Sequence, residues 1–372
     1  MIRFQIGFVP MTFLEVFVLL IFVVWFIKIF VYKEKIYFPK EWRILTALFI
    51  AAGTIAVFVS PDLKQALGLW KAYIVEPLLF FIVFINVIKT PEQRKRIYWA
   101  FGLTTVFLCL VTIFQYIGLI EIPAHYGFES PKRATGIFPF PTAVGKYLAP
   151  IVAMFIGFLF MNKKPKLALL VVICGLLAIS LSVSRGALIG VGAAIVFVSF
   201  FSAWRKWIWL GLAGLFVLLL LIPQTRGNIV EVFETKDTST DVRLVMWKGA
   251  ARIIEDHPIA GTGLASFPLV YDEYKENSHV EYFPNPDNLY LTLWIEMGLA
   301  GVLVFLAIVV QFFREGLPKA KGNAYIVGLM AAMVAILIHG FLDTPYFKND
   351  LAIQFWIFIG LMVALQKSKN KI

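Results

Sequence analysis

The chain has 372 residues, of which 60% are hydrophobic and 15% are charged. This composition excludes an ordinary soluble domain, because repeated apolar runs of about 20 residues are long enough to cross a bilayer. The formal net charge of +11 does not indicate nucleic-acid binding. The basic residues instead cluster in short loops between apolar runs, as cytoplasmic loops do under the positive-inside rule. Cys109 and Cys174 lie inside apolar runs and predict neither a disulfide nor a metal site.

The apolar runs predict an all-α fold, a polytopic membrane protein with about 11 transmembrane helices, within a range of about 10 to 12. We expect the spans at residues 11–32, 44–60, 69–88, 97–119, 142–160, 166–182, 186–202, 207–222, 288–312, 323–342 and 351–366. A short or re-entrant element at residues 1–10 is an additional option. An odd number of spans predicts an external N-terminus and a cytoplasmic C-terminus. Residues 1–372 are expected to form a single membrane domain without internal repeats.

One long polar segment, residues 223–287, interrupts the apolar sequence. The predicted topology places it outside, together with shorter loops at 60–68, 121–141, 182–186 and 343–350. The segment is expected to be partly helical, because residues 241–255 carry apolar side chains at helical spacing, and the helix should end near Pro258. Chemistry is therefore expected in this segment or at the helix ends beside it.

Several common chemistries are not expected. The sequence has no P-loop motif, no dinucleotide-binding glycine motif, no HExxH motif and no Cys/His pattern with zinc spacing. We therefore expect neither a metal nor another cofactor. The two glycines in residues 261–266 favour a tight turn over a phosphate loop. Lys146, just inside a span, is expected to snorkel towards water, and contact with an anionic substrate is the alternative.

Three arginines at predicted outer membrane boundaries, Arg133, Arg185 and Arg243, are the strongest candidate binding residues. A forked, permanently charged guanidinium suits phosphate, and near a membrane that phosphate belongs to a lipid headgroup or a lipid diphosphate. Each arginine also has a simpler interpretation. Arg185 is explained equally well by snorkelling to headgroups, Arg243 by a solvated helix charge paired with Asp241 or Glu255, and Arg133 by a loop that faces water.

Five motifs taken in chain order are more specific than any arginine alone. They are RATGIFPFP, SRGAL, RLVMWKGAARIIEDHPIAGTGLASF, NPDNLYLTLWIEMGLAG and HGFLDTPYFKN. Together they resemble the membrane family of O-antigen ligases and O-antigen polymerases. The similarity is clearest over residues 170–310, which include the external segment 223–287.

The resemblance implies a metal-independent glycosyltransferase of the cell inner membrane, surrounded by membrane lipids, with its active face in the periplasm. Such an enzyme transfers a glycan from an undecaprenyl diphosphate carrier to an acceptor hydroxyl. The acceptor is a lipid A core for a ligase and a growing glycan for a polymerase. The resemblance also implies that Arg185 and Arg243 hold the carrier diphosphate and that Arg133 belongs to the same surface. A transporter of a lipid-linked substrate is a further alternative, although it predicts repeats that this sequence lacks.

The catalytic base is the point at which this chain departs from the family, because Asp287 stands where the ligases usually carry a histidine, just before Asn288. Asp287 is expected either to act as the general base or to cap the following helix. A helix N-terminus would lower its pKa, whereas burial would oppose that effect. His279 and His339 are alternative catalytic residues. Asn288 and Asp343 are expected to support the site, the latter by orienting His339 one helical turn away, although His339 also suits a structural role between helices.

Overall fold

The computed structural model describes residues 3–6, 9–161, 165–221, 238–275 and 284–367. These residues are mostly helical. The exception to the predicted all-α fold is an antiparallel hairpin at the N-terminus, formed by β1 (Arg3–Ile6) and β2 (Val9–Thr12). Its register pairs Ile6 with Val9, so only two residues connect the strands. The short N-terminal element is therefore a hairpin that leads directly into the first helix.

The first part of the bundle contains seven helices and one turn of π-helix, in the following order: α1 (Phe13–Tyr32), α2 (Lys40–Val59), α3 (Leu63–Trp70), the π turn (Lys71–Val75), α4 (Glu76–Val87), α5 (Pro91–Tyr116), α6 (Ala124–Gly127) and α7 (Thr142–Phe160). The described residues of the second part form α8 (Pro165–Leu181), α9 (Arg185–Ser199), α10 (Arg205–Leu221), α11 (Thr238–Asp256), α12 (Phe267–Tyr274), α13 (Leu289–Gly316), α14 (Ala324–His339) and α15 (Asn349–Lys367).

The chain is a polytopic membrane protein. Among the described residues, seven helical segments are long and apolar enough to cross a bilayer, and α8, α9 and α14 are shorter apolar helices. Every predicted span overlaps helical structure: 142–160 is α7, the span 69–88 covers the end of α3, the π turn and α4, and the other spans match single helices with shifted ends. The count of about 11 membrane crossings stays a prediction, because length and composition support fewer.

Helix α7 lies at the centre of the bundle, packed against α8, α9 and α14. Close approach to α14 depends on small residues: a side-chain carbon at Gly157 would lie 2.5 Å from Cα of Gly328. Small residues allow membrane helices to come this close. Helix α1, unlike α7, is largely uncovered by other helices. Most of its large apolar side chains are exposed, as expected for a helix that faces lipid.

Helix α13 is kinked at Gly298, whose φ of 66° and ψ of −173° are non-helical. The preceding loop fills the break, because Leu299 N–H donates to Ile259 O at 3.0 Å and Thr262 N–H donates to Ile295 O at 2.7 Å. Backbone groups in a membrane must be satisfied in this way. The glycines at 261 and 263 both have positive φ and approach neighbouring backbone closely. The structure thus shows the predicted tight turn.

Helix α11 matches the helix predicted at residues 241–255 and ends at Asp256, just before His257-Pro258. Its apolar face forms a small separate core with α12 and α13, made of Met246, Ala250, Ile253, Phe267, Tyr271 and Ile295. Trp247 also donates its indole N–H to Pro286 O at 2.9 Å. These contacts fix α11 beside the start of α13. Residues 223–237 and 276–283 of the long polar segment lie outside the described residues.

Candidate active site

The starts of α7 and α9 and the end of α14 meet at one end of the bundle. A side-chain carbon at Gly145 would lie 2.8 Å from Cβ of Ala187, and one at Gly186 would lie 2.8 Å from Cδ2 of His339. The small residues of the SRGAL motif therefore allow three helix ends to touch. The start of α13 joins them, because Leu289 N–H donates to Gly340 O at 2.7 Å.

A buried ion pair lies at the centre of this helix junction. Lys146 Nζ is 2.8 Å from Asp343 Oδ1, and the two side chains are only 9% and 6% exposed. Thr344 N–H donates to the same carboxylate oxygen at 2.7 Å. Burial by itself would raise the pKa of Asp343, but Lys146, His339 and these hydrogen bonds outweigh it and lower the pKa. The prediction that Lys146 snorkels to water is wrong, because Asp343 binds it inside the protein.

The helix cap at the start of α13 is Asn288, not Asp287. Asn288 Oδ1 accepts hydrogen bonds from the N–H groups of Tyr290 (3.0 Å) and Leu291 (3.1 Å). Its Nδ2 donates to Phe341 O at 3.0 Å, so the cap also ties α13 to the loop after α14. The capping alternative for Asp287 is therefore wrong, and Asn288 supports the junction structurally.

Asp287 lies directly before this cap in a left-handed conformation, with φ of 46°. Its backbone N–H donates to Asn285 Oδ1 at 3.1 Å. Burial and the negative charge of Asp343 raise the pKa of Asp287 to about 6, against the opposing effect of Lys146 and Arg243. Burial therefore dominates over the lowering expected at a helix N-terminus. A carboxylate with this pKa is suited to proton transfer near neutral pH.

His339 is the last residue of α14 and is fully buried in the same junction. Its Nδ1 has no hydrogen-bond partner within the described part of the chain. The predicted orienting pair is not formed through this nitrogen, although Asp343 N–H donates to His339 O at 3.0 Å. The charges of Asp343, Lys146 and Arg243 all act on the ring. The other candidate histidine, His279, lies outside the described residues.

Arg243 reaches the junction from α11. Its positive charge lowers the pKa of Asp287 and also acts on the ring of His339. The Nε atom of Arg243 is buried and has no hydrogen-bond partner among the residues that the structure describes. A buried guanidinium donor without a partner is suited to bind an anionic group. A merely solvated helix charge does not account for this atom.

Arg133 and Arg185 lie on either side of the turn between α8 and α9. Arg185 is the exposed first residue of α9, next to the Gly186 that touches His339. Arg133 Nε donates to Ser182 O at 3.5 Å, and its Nη1 lies 3.6 Å from Glu129 Oε2. Arg133 is therefore not simply a loop residue facing water. The structure brings all three predicted arginines to the same end of the bundle, and the charge of Arg243 acts on Asp287.

Two structural contributions to the candidate site were not recognised in the sequence. The first is the Lys146–Asp343 pair. The second is Gln115, near the end of α5, whose Oε1 accepts from the N–H groups of Thr135 (3.1 Å) and Gly136 (2.8 Å) and so holds the arginine loop. A glutamine inside an apolar run is the signal that would have pointed to it, because a buried amide needs partners.

The fold and this junction define a helical membrane protein with buried ionisable residues at the ends of its helices. Residues 168–306 match the family model described as O-antigen ligase. The match confirms the resemblance drawn from the motifs, and it covers Arg185, Arg243 and Asp287. Arg133, His339 and Asp343 lie outside the matched range. No curated protein matches the chain.

Proposed function

We propose that this protein transfers a glycan from an undecaprenyl diphosphate carrier to an acceptor hydroxyl, as an O-antigen ligase does. The reaction would take place at the periplasmic face of the inner membrane. One observation carries the proposal: the half-buried carboxyl group of Asp287, whose pKa is raised to about 6, lies in the electrostatic field of Arg243 and of the Lys146–Asp343 pair. This arrangement combines a proton acceptor with cationic groups for an anionic leaving group.

In the proposed reaction, Asp287 accepts the proton of the acceptor hydroxyl as its oxygen attacks the anomeric carbon of the donor glycan. The bond between that carbon and the carrier diphosphate breaks, and the electron pair leaves with the diphosphate. Negative charge grows on the departing oxygen. Arg243, together with Arg185, would stabilise it through charge-assisted hydrogen bonds. The diphosphate is a good leaving group, so the reaction as proposed needs no metal.

The Lys146–Asp343 pair would adjust Asp287 without touching the substrate. Asp343 stays ionised beside Lys146, and its charge helps to raise the pKa of Asp287. Without that charge, Asp287 would be a weaker base. His339 is the second candidate for the base, supported by its buried Nδ1, which has no partner among the described residues.

The donor and the arginine site are the same for a polymerase, which is the alternative function. A reconstitution separates the two. Purified protein is mixed with an undecaprenyl diphosphate glycan, with and without a lipid A core, and the products are resolved on a gel. Transfer that requires the core identifies a ligase, and lengthening of the carrier-linked glycan without the core identifies a polymerase. Absence of both products at every acceptor would refute glycan transfer and leave the transporter alternative.

A further inference from the structure

An exposed aromatic ring lies at the helix junction, on the turn that follows α14. The ring belongs to Phe341, which is 52% exposed and stands two residues after His339, the last residue of α14. Phe341 therefore lies past the end of this apolar helix, in the turn that leads to Asp343. His339 and Asp343 are buried in the junction, whereas the ring of Phe341 is accessible from outside.

The ring of Phe341 packs against a second aromatic ring. Its centroid lies 4.6 Å from that of Tyr290, with 43° between the two planes. The Tyr290 hydroxyl donates to Leu337 O at 2.8 Å, so the supporting ring is itself fixed to α14. A side chain that is already held in place loses little conformational freedom when a ligand binds to it. Phe341 is thus an exposed ring with a preorganised position.

The backbone that carries Phe341 is bonded to the start of α13, beside Asp287. Phe341 O accepts a hydrogen bond from Asn288 Nδ2 at 3.0 Å, and Leu289 N–H donates to Gly340 O at 2.7 Å. Asn288 directly follows Asp287, which is only half-buried. The two hydrogen bonds therefore fix the exposed ring at the same helix junction as the proposed general base.

The chemistry of the ring decides which part of a substrate it suits. The face of an aromatic ring is slightly negative, so it does not attract a diphosphate. A pyranose ring suits it, because one face of the sugar carries C–H groups that are apolar and slightly positive, while the hydroxyl groups point outward. Ligand sites commonly combine such apolar walls with a few polar groups that fix the orientation. Contact with membrane lipid, the simpler role for an exposed phenylalanine, needs only an apolar side chain and no aromatic face.

We propose that Phe341, supported by Tyr290, is a stacking platform for a pyranose ring of the reacting glycan. The inference rests on the proposed function and adds a binding residue for the sugar itself. The arginines bind the diphosphate, and Phe341 binds the apolar face of a sugar close to the reacting bond. That sugar belongs to the donor glycan or to the acceptor, and separate affinities for the two distinguish them.

The test measures binding of one substrate at a time, by calorimetry on the full chain in detergent. The three probes are undecaprenyl diphosphate, the same carrier linked to a glycan, and a core oligosaccharide without lipid. Phe341→Leu keeps an apolar side chain but loses the aromatic face, whereas Phe341→Trp keeps one. We expect Phe341→Leu to bind the stacked glycan about 3-fold to 10-fold more weakly, with unchanged affinity for the bare carrier, and Phe341→Trp to bind like wild type. Loss for the carrier-linked glycan assigns the ring to the donor, and loss for the core oligosaccharide assigns it to the acceptor.

Phe107→Leu is the matched control, because Phe107 is 53% exposed within the membrane-spanning helix α5. All three affinities should stay at wild-type values in this variant. Wild-type affinity of Phe341→Leu for both glycans would overturn the proposal and assign Phe341 to lipid contact. Equal losses in Phe341→Leu and Phe341→Trp, or a wild type that gains no affinity from either glycan, would overturn it as well. A chain with ring-dependent glycan binding that transfers nothing would refute the proposed function only.

Discussion

Lys146 and Asp343 are 197 residues apart in the chain, yet their side chains form a buried ion pair of 2.8 Å. The pair joins the start of α7 to the loop after α14. Asp287 and His339 lie in the field of both charges. The geometry of the candidate active site and the protonation of its acidic groups therefore depend on the same contact.

Removal of one partner of the Lys146–Asp343 pair should destabilise the folded protein. Lys146→Met leaves Asp343 buried without its cation and is expected to destabilise the protein by about 3–5 kcal/mol. Lys146→Met combined with Asp343→Asn should recover much of that loss, because no isolated charge remains. Thermal unfolding in detergent measures both effects. A double variant as unstable as the single one would show that the charge is not the cause.

Replacement of Asp287 by Asn should remove the general base while leaving the Asn288 cap in place. We expect glycan transfer to fall by about 100-fold to 10,000-fold. In the wild type, the rate should rise as pH increases through about 6 and then level off, because the ionised form of Asp287 is the active one. The rate profile of the reconstituted enzyme checks both points. The exposed Asp272, paired with Lys275, offers the control Asp272→Asn, which should behave as wild type.

Asp287 should lower the stability of the folded protein at neutral pH, although the same ionised carboxylate supports transfer. Folding raises the pKa of Asp287 from 3.8 to about 6, so the folded state holds its proton more tightly. The resulting penalty is absent below pH 3.8, grows as pH rises to about 6 and is constant above that, at no more than about 3 kcal/mol. Asp287→Asn should therefore be more stable than wild type at pH 7, and the difference should vanish near pH 4. Unfolding at several pH values tests this, and a gain that is independent of pH would contradict it.

The arginines should be needed for transfer but not for folding. Arg185→Ala and Arg243→Ala are each expected to abolish turnover while folded protein remains in the membrane. Arg243→Lys keeps the charge but loses the forked geometry, so activity should recover only in part. Arg252→Ala serves as the control on the same helix, since Arg252 Nη1 contacts Tyr274 O at 3.4 Å, away from the junction. Wild-type turnover in either alanine variant would remove that arginine from the diphosphate site.

The contact between α9 and His339 should tolerate no added methyl group. In Gly186→Ala the new carbon would meet His339 Cδ2 at 2.8 Å and Nε2 at 3.0 Å, so the ring or the helix must shift. We expect a loss of about 1–3 kcal/mol and a large fall in transfer. The matched variant Gly192→Ala, on the same helix, meets nothing within 4 Å and should be neutral. Equal stability and equal transfer activity of the two variants would show that the contact between Gly186 and His339 contributes to neither.

The helix positions were predicted well because apolar runs are a local property of the sequence. Helix α11 is an example, since Met246, Ala250 and Ile253 repeat at helical spacing and do form one buried face. The hairpin at the N-terminus was not predicted as such. Neither was the role of Gln115, whose partners lie 20 and 21 residues away and are invisible to a local pattern.

The sequence by itself determined that this is a membrane protein, where its helices lie and which family motifs it carries. It also indicated Arg133, Arg185 and Arg243 as candidate binding residues, because a permanent charge beside an apolar run is easily recognised. Only the tertiary structure decided that Asn288 is the cap, that Lys146 is bound by Asp343, and that Asp287 has a raised pKa. The physical reason is that burial and neighbouring charges are set by which helix ends meet. Contacts between helix ends join residues that are far apart in the chain, so a local sequence pattern cannot predict them.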